Sequence, residues 1–187
     1  MSDPSPLPPA RCDTTQRLNV IGAAFALGIP RDYGRRHRLR VVREPAALSS
    51  IGEDIHGRHQ WLAPRAARAW LRMRRAAATD GIDLQVVSAF RSASYQLVII
   101  ERKLERGLAM GEILRVSAAP GFSEHHSGRA LDISTPGYAA LEEEFETSPA
   151  FAWLQREAAR FGFALSYPRG NPHGIAYEPW HWCWHRR

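Results

Sequence analysis

Two short segments constrain this chain more than anything else in it: Ser123-Glu124-His125-His126-Ser127-Gly128-Arg129-Ala130-Leu131-Asp132 and, close to the C-terminus, Glu178-Pro179-Trp180-His181. Together they offer imidazoles, a hard carboxylate and a spare carboxylate. That is the inventory of a catalytic zinc site, which takes three protein ligands, an open position for water and a base to use that water. His125 and Asp132 stand seven residues apart across Gly128, so a bend at the glycine can return both side chains to one ion. Glu178 precedes His181 by three residues, close enough to act beside the ion without binding it. His126 offers a second imidazole next to His125, and residue type alone leaves either open as the ligand.

The chain has 187 residues, 44% of them hydrophobic and 24% charged. This is enough for one domain with a sizeable core and is an ordinary globular balance. Pro4, Pro6, Pro8 and Pro9 mark residues 1–12 as a flexible leader, and 13–187 read as a single domain. No apolar run approaches the roughly 20 residues that span a bilayer. Leu18–Ile29 starts late for a signal peptide and ends in Pro30-Arg31-Asp32 rather than small residues, so it reads as a helix and the expected location is cytoplasmic, with the periplasm as the alternative. Two distant cysteines, Cys12 and Cys183, exclude a disulfide framework; Cys183 reads as a small buried residue rather than a fourth ligand. The net charge of +6 favours anionic partners. Among the basic residues Lys103 is the only lysine. A nucleic-acid reader motif is absent, so nucleic acid is not expected as a partner.

Asp13 or Thr14 can cap a helix to about Ala26. A short strand is expected at Leu39–Val42. Pro64 suits the first turn of a helix to about Thr79, with Ala66, Trp70, Met73 and Ala77 on one face and Arg65, Arg68, Arg72 and Arg75 on a solvated one. Leu84–Ala89 reads as a strand and Ser92–Arg106 as a helix stopped by Gly107. A polar loop over Ala118–Gly128 feeds a strand at about Arg129–Ser134, with Leu131 and Ile133 towards the core and Asp132 towards the site. Ser148-Pro149 opens a further helix, and Phe163–Leu165 and Trp180–Trp184 read as strands. Helices and strands mix without regular alternation. The fold class is therefore α+β, a small and mainly antiparallel sheet carrying the zinc site, flanked by helices.

Such an ion acidifies bound water and polarises a carbonyl, and Glu178 is placed to take the proton and pass it to a departing amine. A cation near the reaction centre serves the developing oxyanion or a substrate carboxylate. Arg91, in Ser88-Ala89-Phe90-Arg91-Ser92 at a strand-to-helix turn, supplies one.

Three patterns in order resemble the zinc D-alanyl-D-alanine carboxypeptidases related to the vancomycin-resistance enzymes, a group that includes L,D-carboxypeptidases and some phage endolysins. They are Ser88 to Gln96, Ser123 to Asp132, and Glu178 to His181, with Tyr167-Pro168 and Tyr177 also similar. The resemblance covers roughly 84–184. It implies that His125 rather than His126, with Asp132 and His181, binds one Zn2+, that Glu178 is the catalytic base, and that Arg91 contacts substrate or oxyanion. Ser123 and Gln96 are implied as substrate-binding, and 13–187 as a single zinc peptidase domain. The expected function is removal of a C-terminal D-alanine from peptidoglycan stem peptides or muropeptides, across a D,D or L,D bond. The alternatives are an endopeptidase of the endolysin type, which a separate cell-wall-binding module would have favoured, and a non-catalytic cell-wall-binding module, which loss of Glu178 or Arg91 would have favoured. His173, in the 169–174 loop, is expected to face solvent.

Overall fold

The computed structural model describes residues 7–185. The expected leader lies outside the described residues over 1–6. Its last two residues are held: Arg11 donates to the Pro45 and Ala46 carbonyls, and the Cys12 N–H donates to Glu44. Six α-helices are described, α1 Thr14–Ala26, α2 Tyr33–Arg36, α3 Pro64–Thr79, α4 Ala93–Glu105, α5 Met110–Arg115 and α6 Pro149–Glu157. The strands are β1 Ser49–Glu53, β2 His59–Leu62, β3 Gln85–Ser88, β4 Ala130–Ser134, β5 Phe163–Leu165 and β6 His181–Trp184.

Local chemistry starts these helices where the sequence places them. Asp13 caps α1 through a reciprocal box with Gln16, and the Ser92 and Ser148 hydroxyls accept the N–H groups of Tyr95 and Phe151 at the starts of α4 and α6. Pro64 and Pro149 occupy first turns, where the missing N–H costs nothing.

β3, β4, β6 and β5 form one antiparallel sheet in that order, and β1 and β2 form a separate hairpin. The main core lies between the sheet and α3 with α6, where Trp70, Met73, Leu131, Ile133, Trp153 and Trp182 are buried together. A second core joins α1, α2, α4 and α5 through Ile21, Tyr33, Ile100, Ile113 and Phe122.

The arginines at 65, 68, 72 and 75 line the exposed side of α3, as their spacing predicts. Leu39–Val42 forms no strand. Its N–H groups find single loop partners, Leu39 to Gly34 and Val42 to Gly121, so no ladder is available to it. The β1–β2 hairpin is absent from the sequence reading because neither strand alternates cleanly. It is set by Asp54, whose carboxylate accepts from the His56 and Arg58 N–H groups and from the Arg58 and Gln60 side chains. Gln60 accepts the Ala89 N–H, and the Trp61 carbonyl accepts the Phe90 N–H. The hairpin is thereby fastened to the turn that carries Arg91.

Candidate active site

Register creates the centre of the site. Asp132 on β4 lies opposite His181 on β6 and Ser88 on β3, and residues opposite one another in adjacent strands project their side chains from the same face. The remaining imidazole arrives on a single 3-10 turn, Glu124–Ser127, ended by Gly128 at φ 62°. A side chain there would meet the Ala63 N at 2.8 Å, so only glycine allows the return from His125 into β4. His125, Asp132 and His181 are all buried, and their ligand atoms lie within 4.8 Å of one another.

Each imidazole has one nitrogen turned inward and the other tied down. His125 Nδ1 donates to the Ala89 carbonyl at 2.6 Å, leaving Nε2 at 3.2 Å from Asp132 Oδ2. His181 Nδ1 lies 3.0 Å from Asp132 Oδ1, while Nε2 donates to Glu124 Oε2 at 3.0 Å. Two nitrogens and one carboxylate therefore face a common point, and each outer nitrogen is held by an acceptor that fixes tautomer and ring angle. The donor set and its supports fit zinc. His126 is excluded as the third ligand. Its Nδ1 donates to the Arg91 carbonyl at 2.6 Å and its Nε2 accepts the Gly121 N–H at 3.1 Å, so neither nitrogen is free.

The electrostatics follow from burial and pairing. Burial opposes ionisation at Asp132, but the His125 charge and the hydrogen bonds from both imidazoles hold its carboxyl well below the usual range. Burial likewise opposes a charged His181, and its bonds to Asp132 and Glu124 outweigh that, pushing it up to about 10. Glu124 is correspondingly held down to about 2, its burial outweighed by the bond from His181. Burial alone dominates at His126, which is pushed down to about 3 and stays neutral.

Glu178 differs from the other carboxylates. It has no hydrogen bond from a ligand, its Oε2 is 3.6 Å from His181 Nδ1, and burial raises it to about 7. A carboxyl poised there can take and return a proton near neutrality.

A cavity of about 330 Å³ opens on the triad and is lined by Arg91, Ser123 and Glu178 among others. A larger groove of about 870 Å³, walled by Trp61, Phe90 and Tyr95, meets it at Arg91, Ile99, Asp132 and Leu141. Arg91 Nε is buried with no partner among the described residues. Six of the seven expected site residues thus converge.

Gln96 does not. It is fully buried and lines neither space; its Nε2 donates to the Ala118 carbonyl at 2.9 Å. In place of the expected substrate contact it pins the 116–120 segment to α4. His173 is half-buried rather than open to solvent, in a reciprocal pair with His37 in which each Nδ1 meets the other's carbonyl. Cys183 is buried and outside the donor cluster.

Residues 59–187 match the family model described as VanY, D-alanyl-D-alanine carboxypeptidase. The chain belongs to that family. The match begins at β2, so it takes in the hairpin strand that the motifs alone did not reach. A bifunctional D-Ala-D-Ala dipeptidase and carboxypeptidase from Enterococcus gallinarum, VanXYC, is 31% identical over 156 residues, covering 79% of this chain and 78% of its own. The match to Bacillus subtilis YodJ spans only 50% of that protein. Among solved structures, the LdcB LD-carboxypeptidase superposes with a TM-score of 0.68 at 30% identity, over 78% of this chain and 71% of its own. The vancomycin-resistance D,D-pentapeptidase VanY, solved with Zn(II), gives 0.58 at 26%, over 78% and 84%.

Glu124 is the support for a site histidine that the motif reading missed in this VanY-family site. The available signal was chemical: a metal-binding histidine generally gives its second N–H to a carboxylate or carbonyl, and a spare carboxylate stands beside His125. Glu124→Ala should weaken zinc binding about 10–100-fold, the usual effect of removing such a support, measured by competition with a chelating dye. Unchanged affinity would show that His181 needs no partner at Nε2.

Proposed function

We propose that this protein is a zinc carboxypeptidase that removes the C-terminal D-alanine from peptidoglycan stem peptides across a D,D or L,D bond. The observation that carries the reading is the convergence of His125 Nε2, Asp132 and His181 Nδ1 beside a carboxyl poised near neutrality. Those three residues would hold the ion. When bound, zinc lowers the pKa of a water to about 7 and polarises the scissile carbonyl.

The remaining work belongs to the chain. Glu178 takes the water's proton and returns it to the departing amine, roles that its burial suits. Arg91 brings an unneutralised guanidinium to where negative charge develops. Ser123, buried on the cavity wall, offers a hydroxyl to substrate. Glu124 and the Ala89 carbonyl fix the two imidazoles by their outer nitrogens, so neither has to reorient as charge develops. The 870 Å³ groove has room for the stem peptide on the other side of the scissile bond.

Incubation of zinc-loaded protein with tri-, tetra- and pentapeptide muropeptides, with products identified by mass, tests the reading. Loss of one D-alanine from the tetra- or pentapeptide is expected, and which of them is trimmed assigns the bond. Amidating the C-terminus should slow cleavage at least about tenfold, because a charged group leaves water favourably only when it is paired. Internal cleavage at equal rates on acid and amide would replace the carboxypeptidase with an endopeptidase.

A further inference from the structure

The chain's only lysine stands in the active-site cavity. Lys103 lies in the last turn of α4 and lines the same 330 Å³ space as Arg91, Ser123, Glu178 and the triad. Its neighbour Arg102 is exposed and already complements the C-terminal end of the helix dipole. Lys103 is half-buried instead, and its Nζ donates to the Ser117 hydroxyl at 2.9 Å. No carboxylate lies within ion-pair distance of it among the described residues. One of its three N–H donors is used, and the others remain for an acceptor in the cavity.

Arg91 and Lys103 occupy successive places along this space. Arg91 lines both this cavity and the adjoining groove, along the edge that the two share with Asp132. Lys103 and its partner Ser117 line the cavity but not the groove. Arg91 thus stands where groove and cavity meet, and Lys103 on the part of the cavity that the groove does not share. With the stem peptide in the groove and its scissile carbonyl at the triad, the terminal D-amino acid enters the cavity, and its carboxylate lies a few bonds past that carbonyl.

We propose that Lys103, held by Ser117, receives the C-terminal carboxylate of the substrate and so sets exopeptidase specificity, leaving Arg91 to the carbonyl at the triad. This rests on the carboxypeptidase reading. Ser117 fixes the long side chain, which lowers the entropy lost on pairing. A lysine serves here because a single compact charge suffices, whereas Arg91 needs its planar fork.

The test compares Lys103→Gln, which can keep the bond to Ser117 without the charge, with Lys103→Arg. Each is assayed on a stem pentapeptide as free acid and as C-terminal amide, together with inhibition by D-alanine, zinc content and melting temperature. For Lys103→Gln, kcat/KM on the acid should fall about 10–100-fold, mainly through KM, as expected for loss of a charge-assisted hydrogen bond. The acid-to-amide ratio should collapse towards one, and D-alanine inhibition should weaken in parallel. Lys103→Arg should recover most of the ratio, with zinc content and melting temperature unchanged in both. A wild-type enzyme that discriminates, with a Lys103→Gln variant that discriminates equally, overturns the role of Lys103 alone. A wild-type enzyme indifferent to amidation overturns both this assignment and the carboxypeptidase reading.

Discussion

Glu178→Gln should keep its zinc and lose about 10²–10⁴-fold in turnover, the range general acid–base catalysis contributes. The side chain lines the cavity and faces His181 Nδ1, yet lies outside the three-donor cluster, so metal content and activity should separate in this variant. Activity within tenfold of wild type would remove Glu178 from the mechanism. The same substitution has a second, opposite expected effect. In the fold the Glu178 carboxyl is raised from 4.5 to about 7, chiefly by burial. A carboxyl with a raised folded pKa costs stability once pH exceeds its unfolded value, and the cost grows until pH passes the folded value. At pH 8 that cost is at most about 3 kcal/mol, and at pH 5 most of it is absent. Chelator-treated Glu178→Gln should therefore melt above chelator-treated wild type at pH 8, with the gap narrowing towards pH 5. A gap of equal size at both pH values would show that ionised Glu178 is not the source. Function here carries a stability penalty located in one side chain.

The three clustered donors and the carboxyl beside them were legible in the sequence because a metal site demands rare residue types at a few positions, and those demands survive without coordinates. Helix starts were legible for a similar reason: Asp13, Ser92 and Ser148 act within a few residues of themselves. What could not be read depends on directions in space. Whether Glu124 meets an imidazole is decided by which His181 nitrogen faces Asp132, and the β4–β6 register sets that. His126 bears the same local marks as His125, and only the turn decides that one reaches the Ala89 carbonyl with a nitrogen to spare while the other spends both. Gln96 sits in a motif that brings Arg91 to the cavity, but its side chain turns inward from α4 to the Ala118 carbonyl. The hairpin was hidden because Asp54 holds it with side-chain bonds, which leave no hydrophobic alternation to detect.

Asp132→Asn should abolish zinc retention and activity together while leaving a folded protein. Asparagine keeps the volume and one acceptor towards His181 Nδ1, so the β4–β6 pairing and the imidazole supports at Ala89 and Glu124 should persist. It removes the only negative charge among the three donors. Structural zinc sites with four ligands bind with roughly 10–16 kcal/mol, so one ligand accounts for about 3 kcal/mol or more, which is ~10²-fold or more in affinity. Losing the anionic one should exceed that share, because two neutral imidazoles do little to offset the desolvation of a dication in a buried site. Metal analysis after dialysis against a chelator, beside circular dichroism to confirm the fold, reads the effect. Stoichiometric zinc and full activity in Asp132→Asn would place the ion elsewhere and leave the pairing of Asp132 with His125 and His181 as a structural network only. Loss of zinc in Asp132→Asn, set against its retention in Glu178→Gln, separates the residues that hold the ion from the one that moves the proton.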